Sequence, residues 1–215
     1  MQQFQLGLKD KLTLLIAIVV FVCVAFFSLN FYERTKKLLV ESIRTDLKDM
    51  AMSLSMSIDP EQVKLVLVRG ENSKAYWELK RRLYEFTLLG NKRIHEAYIM
   101  VASKKNDVWQ FVADSELVDK KNMAGFQEEY DISKFPEMKM AFVGPTADKE
   151  VTKDKWGRWL SGYAPINDKN GMPVAILGLD MKASDIDRLK SEILDSVLLY
   201  LLIGAVASLI FGRLG

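Results

Sequence analysis

Residues 159–181 read WLSGYAPINDKNGMPVAILGLDM, and this stretch decides the fold class. Two runs rich in apolar and β-forming residues, 159–166 and 172–181, flank the polar tetrapeptide 168–171 (Asp-Lys-Asn-Gly). Such runs on either side of a turn that contains Asn-Gly are typical of a β-hairpin. We therefore predict two antiparallel strands here, with the chain turning at Gly171.

Upstream of this hairpin the sequence predicts three more strands. The runs 94–102 and 108–114 are rich in β-branched and aromatic residues and are joined by the polar turn 104–107. A short strand is expected to contain Val151. Together with the hairpin, these segments predict a sheet of five strands.

Helices are expected before and between these strands. Asp59 suits an N-cap, Pro60 suits the first helical position, and Gln62 three residues after the cap completes the pattern of a capping box. This helix is expected to end near Gly70. Two further helices are predicted at residues 73–89 and 136–142.

Two apolar runs lie near the ends of the chain. Residues 12–29 contain 18 uncharged residues, which span about 27 Å as a helix and match the hydrocarbon thickness of a bilayer. Residues 196–211 form a second apolar run of 16 residues. We predict membrane-spanning helices at 12–31 and 194–212. A cleaved signal peptide, the alternative for the first run, would have a shorter apolar stretch and a small-x-small cleavage site, which is missing here.

The two predicted spans define the organisation of the chain. We expect a cytoplasmic N-terminus, a first membrane helix, a central extracytoplasmic domain, a second membrane helix and the start of a cytoplasmic part, at residues 1–11, 12–31, 32–193, 194–212 and 213–215. In the second span, three small residues recur at every fourth position and form one face on which helices can approach closely in lipid: Gly204, Ser208 and Gly212. The same pattern also arises because small residues are common in membrane helices.

The first helix is expected to continue beyond the membrane without a break, because residues 30–57 contain no Gly or Pro. Its apolar residues follow a 3-4-3-4 spacing: Val40, Ile43, Leu47, Met50 and Leu54. This spacing fits the seam of a coiled coil, and it equally fits an amphipathic helix that lies on its own sheet.

Composition argues against several classes of function. The 30 Lys and Arg residues nearly balance the 28 Asp and Glu residues, which does not favour a nucleic-acid-binding surface. The single cysteine, Cys23, lies in the first apolar run, and the single histidine, His95, has no companions at metal-ligand spacing. No Ser-His-Asp pattern or phosphate-binding glycine loop is present. We therefore predict no enzyme activity, no metal and no cofactor.

Residues 157–166 (GRWLSGYAPI) and 174–181 (VAILGLDM), with Asp168 and Gly171 between them, closely resemble the end of Cache-type sensor domains. These are the extracytoplasmic, PAS-like domains of bacterial receptors. The resemblance implies an α+β fold in which a PAS-like five-stranded antiparallel sheet packs against a long N-terminal helix. It also implies a homodimer in the bacterial inner membrane, with the domain in the periplasm or outside the cell. The basic residues after the first membrane helix do not determine this orientation. The positive-inside rule applies to short connections, and this one is about 160 residues long.

The same resemblance implies the ligand-sensing input region of a transmembrane receptor. The second membrane helix would relay binding of a small molecule to a cytoplasmic histidine kinase, diguanylate cyclase or chemotaxis module. Because the chain contains no such module, either a longer chain or a partner would supply it. The alternative is a two-pass membrane scaffold whose extracytoplasmic domain binds a protein partner.

A ligand site is expected among the aromatic and acidic residues in or beside the strands. The candidates are Tyr98, Phe111, Asp114, Tyr130, Trp159, Ser161, Tyr163 and Asp180. Aromatic rings combined with a carboxylate favour an amine or another cation, although the same rings would also serve as core.

The resemblance refines this expectation at one position. Asp180 matches a family position that contacts the ligand amine in amino-acid-binding members. The Arg-x-Trp element that binds the ligand carboxylate in those members is missing here after the second strand. A carboxylate ligand held by Arg158 or Lys139 stays open as an alternative.

Overall fold

The computed structural model describes residues 7–90, 93–119 and 123–214. It divides into two units, one of Met1–Val40 with Asp187–Gly215 and the other of Glu41–Ile186. The second unit holds the sheet, the helices that pack on it and the candidate site. Each unit is described below by itself.

Five α-helices lie in the described residues: α1 Leu8–Ser57, α2 Pro60–Arg69, α3 Lys74–Glu85, α4 Pro136–Met140 and α5 Ala183–Leu214. A π-helical turn, Phe86–Gly90, extends α3. The uninterrupted first helix and the start of α2 are as predicted, since the Asp59 side chain caps α2 by accepting from the backbone N of Glu61 at 2.9 Å. The predicted capping box is wrong: the side-chain amide of Gln62 donates to Glu78 at 3.2 Å instead, because α3 packs beside α2.

The sheet has seven antiparallel strands where five were predicted: β1 Glu96–Ala102, β2 Val108–Asp114, β3 Glu129–Asp131, β4 Thr146–Ala147, β5 Thr152–Lys153, β6 Arg158–Asn167 and β7 Pro173–Lys182. Their spatial order is β3-β2-β1-β7-β6-β4, and β5 also pairs with β6. The strands β3 and β4 were not predicted, and Val151 lies just before β5 rather than in a strand. Strands of two or three residues are too short to show an alternating pattern, and pairing with the long strands forms them.

The predicted hairpin is confirmed and forms the centre of the sheet. Along β6 and β7 the register runs from the Trp159–Lys182 pair to the Asn167–Pro173 pair. The turn closes with a hydrogen bond from the backbone N of Asp168 to the carbonyl of Met172 at 2.8 Å. Gly171 has φ of 78°, a left-handed conformation that favours glycine.

One face of the sheet packs against helices of the same unit. Leu47 of α1 is wholly buried on β6, where a Cβ on Gly162 would lie 2.7 Å from backbone and side-chain atoms of Leu47. Ile43 and Leu54 of the 3-4-3-4 series are buried too. In this unit the apolar face of α1 therefore lies on its own sheet, which was one of the two interpretations of its spacing.

The opposite face of the sheet carries a second cluster of buried side chains. Tyr98, Met100, Phe111, Tyr163 and Ile176 project from four neighbouring strands. They are covered by side chains of α4 and of irregular segments, Ala124, Ile132, Met138 and Ala141. The candidate site lies on this face.

Two helices are long and apolar enough to cross a membrane by length and composition, Leu8–Ser57 and Ala183–Ser208, and their apolar parts belong to the other unit. Gly204 and Ser208 are half-buried there, and a Cβ on Gly204 would lie 3.5 Å from Cγ1 of Val24. The surroundings of Gly212 lie outside the described residues. Membrane insertion and orientation stay predictions.

A candidate ligand cleft on the sheet

A cleft opens on the face of the sheet that carries Tyr98. Its lining consists of carboxylates, aromatic rings and small or flexible apolar side chains: Glu96, Tyr98, Met100, Phe111, Asp114, Ala124, Tyr130, Met138, Asp154, Trp156 and Asp180. About 370 Å³ among these residues, including the opening, contains no protein atoms. The enclosed interior has room for only one or two water molecules. A ligand larger than water therefore has to displace side chains of the lining.

Two carboxylates, Glu96 and Asp180, occupy the part of the cleft formed by β1 and β7. They are cross-strand partners in the register. Asp180 is 6% exposed, and the Tyr98 hydroxyl donates to its Oδ1 at 3.2 Å. Burial raises the pKa of Asp180 well above its ordinary value, against a hydrogen bond with Ser161 that lowers it. Burial, reinforced by the charge of Asp114, raises the pKa of Glu96 to about 7.

A buried ion pair joins the cleft to α3. Lys80 is wholly buried, and its ammonium contacts Oδ1 of Asp114 at the end of β2. The other oxygen of Asp114 accepts from the backbone N of Ala124 at 2.6 Å. Burial raises the pKa of Asp114, and the contact with Lys80 acts in the opposite direction. Asp114 thus connects α3 to the segment around Ala124 that borders the cleft.

Four aromatic rings form a wall of the cleft, centred on Phe111. Its ring packs edge-on against Tyr98, Trp156 and Tyr130, with centroid distances of 5.6, 5.5 and 5.8 Å. Tyr130 and Trp156 are stacked at 5.9 Å with an angle of 26° between their planes. The faces of such rings carry negative charge density and attract cations within about 6 Å.

Asp154 holds this wall in place. Its Oδ1 accepts from the backbone N of Trp156 at 2.8 Å and of Gly157 at 2.9 Å, and from Nε1 of Trp159 at 3.1 Å. Its Oδ2 accepts from the Tyr130 hydroxyl at 3.2 Å. The carboxylate therefore organises the turn before β6 and connects it to β3.

The structure brings five of the eight predicted site residues into the lining: Tyr98, Phe111, Asp114, Tyr130 and Asp180. The other three do not line the cleft. Ser161 lies opposite Asp180 on β6, Tyr163 is buried and donates to Asp148 at 3.1 Å, and Trp159 stacks on His95 at 5.5 Å. Their places follow from the register, because Ser161 and Tyr163 are on β6, one strand further from β1, and Trp159 is at its end.

Sequence reasoning missed six lining residues: Glu96, Met100, Ala124, Met138, Asp154 and Trp156. Strand alternation around Tyr98 would have found Glu96 and Met100, since all three share one face of β1. The remaining four lie on α4 and on irregular segments. No local pattern points to them.

The charge of the lining is one-sided. It contains four carboxylates, and no Lys, Arg or His among the described residues. Arg158 and Lys139, considered as anchors for a carboxylate ligand, do not line it; Lys139 pairs with Asp107 at 2.7 Å. Within the part of the chain that the structure describes, no group of three His, Cys, Asp or Glu side chains is placed to hold a metal ion. Of these four carboxylates only Asp114 is paired to a lysine among the described residues, so the lining itself is electronegative. The nearest other cation at the wall is Lys155, which pairs with Glu128 and places its ammonium 4.2 Å from the centre of the Trp156 ring.

Comparison with known proteins gives a result at the level of structure only. No protein-family model and no curated protein matches the sequence. The structure is similar to the ligand-binding domain of the Campylobacter jejuni chemoreceptor Tlp3 in complex with L-valine, with a TM-score of 0.54 and 12% identity over 81% of this chain. This chain therefore shares the fold of that Cache-type domain.

Two further structures have this Cache-type fold. The Tlp3 sensory domain with isoleucine bound matches 81% of this chain with a TM-score of 0.53 and 12% identity. The sensor domain of the V. cholerae histidine kinase DctB matches 76% with a TM-score of 0.52 and 10% identity. The chain spans 66% of the Tlp3 chain bound to L-valine and 57% of the DctB chain. These structures are sensory and ligand-binding domains of receptors.

Proposed function

We propose that this chain is the ligand-sensing input region of a bacterial transmembrane receptor and that its cleft binds an amine or another small organic cation. The electronegative lining is the observation that carries the proposal. Four carboxylates and four aromatic rings meet at one cleft, and only one of the carboxylates is neutralised by a lysine. An ammonium group in this cleft would gain charge-assisted hydrogen bonds and contacts with ring faces.

The similar structures support the binding of a small molecule. A difference between their ligands and the lining of this cleft restricts the expected class of ligand. Tlp3 was solved with valine and with isoleucine, which carry both an ammonium and a carboxylate group. In this chain no basic side chain among the described residues lines the cleft, so nothing there would neutralise a ligand carboxylate. We therefore expect amines that lack a carboxylate to bind more tightly than amino acids.

Membrane placement and signal relay belong to the same proposal. The apolar parts of α1 and α5 would span the inner membrane twice, with the sheet in the periplasm or outside the cell and the chain as a homodimer. Because α5 begins directly after β7, a shift of that strand on ligand binding would pass into the second span. A ligand can shift this equilibrium only by its difference in affinity for the two states.

A thermal-shift screen of the full chain in detergent tests the ligand class. We expect alkylamines to raise the melting temperature and the corresponding carboxylic acids to leave it unchanged, since only a ligand that binds the folded state stabilises it. Asp180→Asn should abolish the shift, whereas Asp49→Asn, an exposed position on α1, should preserve it. Equal shifts for amines and acids would contradict the proposed ligand class.

Thiol labelling tests on which side of the membrane the sheet lies. In a Cys23→Ser background, Lys104→Cys places a single thiol in the exposed turn between β1 and β2. A membrane-impermeant maleimide should label this thiol in intact spheroplasts if the sheet faces outward. Labelling only after lysis would place the sheet in the cytosol and exclude the receptor orientation.

A protein-binding scaffold is the second candidate function. One observation favours it: Trp77 of α3 is 54% exposed and shares a shallow groove with Leu117, next to Val118 at 86% exposure. The scaffold requires that no small molecule shifts the melting temperature at millimolar concentration. It also requires that Trp77→Ala abolishes function in the cell while the cleft residues tolerate substitution.

A further inference from the structure

The two carboxylates at the β1–β7 part of the cleft face each other without a counter-charge of their own. Glu96 and Asp180 are cross-strand partners, and side chains in this relation have Cβ atoms about 5 Å apart. Both line the cleft, and Asp180 is nearly excluded from water. Carboxylates at such neighbouring positions of a poorly hydrated site repel each other, and such pairs retain a proton.

The other two carboxylates of the cleft have partners that stabilise their charge. Asp114 has Lys80 on one oxygen and the backbone N of Ala124 on the other. Asp154 accepts four hydrogen bonds within the protein. Glu96, in contrast, accepts no hydrogen bond from the described residues, and Asp180 has only the neutral hydroxyls of Tyr98 and Ser161.

The groups that surround the pair strengthen its hold on a proton. They come from the neighbouring elements: Asp114 and Glu116 from the end of β2 and the segment after it, Asp148 from the segment after β4, Asp154 from the turn before β6, and Lys182 from β7. Only Lys182 among them is a cation, and it opposes four acidic groups. The neutral phenols of Tyr98, Tyr130 and Tyr163 also lie near Asp180, and that of Tyr98 favours the charged carboxylate because it donates to Oδ1. Burial is the largest cause that raises the pKa of both members of the pair.

We infer that Glu96 and Asp180 together hold one proton in the empty cleft and that a cationic ligand takes the place of this proton, which is released to water. The inference on the ligand rests on the proposed function. The shared proton is a property of the ligand-free protein and can be tested without a ligand. Glu96 thereby becomes a ligand-contacting residue, and the receptor becomes a sensor whose response to a cation depends on external pH.

The exchange of the proton for a cationic ligand determines how the affinity for that ligand depends on pH. Below the pKa of Glu96 in the folded protein, which is about 7, each bound cation has to displace a proton. Affinity for the cation then rises with pH by up to about tenfold per unit and levels off once the pair is fully ionised. Alkylamines stay protonated through this range, so the change comes from the protein.

Unfolding of the ligand-free full chain in detergent tests the shared proton. A carboxyl group whose pKa is raised on folding stabilises the fold at low pH, and this contribution is lost as pH rises through the folded value. Glu96→Gln should therefore raise the melting temperature at about pH 8 by roughly 2 °C or more and leave it nearly unchanged at about pH 4.5. Glu129→Gln, on exposed strand β3, is the matched control and should not produce this pH-dependent gain. An equal effect of Glu96→Gln at both pH values would overturn the inference.

Titration calorimetry with butylamine hydrochloride tests the exchange. Measured at about pH 6 in buffers with different ionisation enthalpies, binding to the unsubstituted chain should release close to one proton, and binding to Glu96→Gln should release clearly less, because Asp180 then lacks the acidic partner that helps it to hold a proton. Equal proton release by both would overturn the exchange. If butylamine does not bind the unsubstituted chain, the proposed ligand class fails, and the unfolding experiment decides the shared proton alone.

Discussion

The ring of Tyr98 lies so close to Gly178 that a Cβ on this glycine would be 2.3 Å from Cε2 of the tyrosine. The two residues are cross-strand partners on β1 and β7. The Tyr98 hydroxyl continues from this contact to Asp180, two residues further along β7. The absence of a side chain at Gly178 therefore sets the position of the ring and, through it, a hydrogen bond of the candidate cleft.

Gly178→Ala is expected to lower the free energy of unfolding by about 2 kcal/mol or more, because the buried ring cannot move without displacing its neighbours. Chemical denaturation of the full chain measures this loss. Gly144→Ala is the matched control, since a Cβ there would meet no atom within 4 Å and the φ angle is not positive. Equal stability of the two variants would show that the sheet adapts to the extra methyl group.

The buried ion pair gives a second prediction. Lys80→Met leaves Asp114 buried without its partner and should lower the free energy of unfolding by about 3 kcal/mol near neutral pH. The loss should shrink on acidification, because a protonated Asp114 no longer needs a counter-charge. Adding Asp114→Asn should restore part of the stability.

The control for this pair lies on the same helix. Lys74 is 91% exposed and contacts Glu78 at 3.3 Å, so Lys74→Met should change stability by less than about 0.5 kcal/mol. Urea denaturation of the two variants measures the difference. A comparable loss for both lysines would mean that Lys80 acts through packing of its stem rather than through its charge.

A third prediction concerns Asp148, whose pKa burial raises to about 6 while the Tyr163 hydroxyl acts to lower it. Tyr163→Phe removes this donor from the charged carboxylate and should cost about 1 to 2 kcal/mol at about pH 8. The cost should be smaller at about pH 5, where Asp148 is largely protonated. Tyr84→Phe, at a partly exposed position on α3, should show no such difference between the two pH values.

Cross-linking tests the predicted small-residue face of the second span. In a Cys23→Ser background, cysteines at Val24 and Gly204 should form a disulfide in isolated membranes, because a Cβ on Gly204 would lie 3.5 Å from the Val24 side chain. Cysteines at Val24 and Val206 should not, since Val206 is 48% exposed on another face. Leu at positions 204 and 208 should weaken the contact. Equal cross-linking of both pairs would contradict a specific face.

Much of the fold could be predicted because its signals are local. The turn around Gly171, the cap at Asp59 and the unbroken residues 30–57 each constrain the backbone through neighbouring residues only. The missed elements depend on distant partners. The strand β3 exists because Glu129, Tyr130 and Asp131 meet β2, and three residues cannot show a period of their own.

The residues of the cleft also differ in whether a local sequence pattern predicts them. Tyr98, Phe111 and Asp180 could be predicted from their positions in recognisable strands, whereas Asp154 and Trp156 lie in a turn that the hydrogen bonds of Asp154 itself create. Lys80 gave no signal at all, since a lysine on an amphipathic helix is normally solvated and its burial depends on Asp114 in another element.

The two faces of the sheet are covered by different kinds of chain, helices behind Gly162 and mostly irregular segments around Tyr130. The helix α4 and the irregular segments supply four of the eleven lining residues of the cleft, and these four can be changed without altering the strands. A library at Ala124, Met138 and Trp156 would vary the lining of the cleft while leaving the sequences of α1, α2 and α3 unchanged. If the proposed function holds, such a library would change which ligands the cleft accepts.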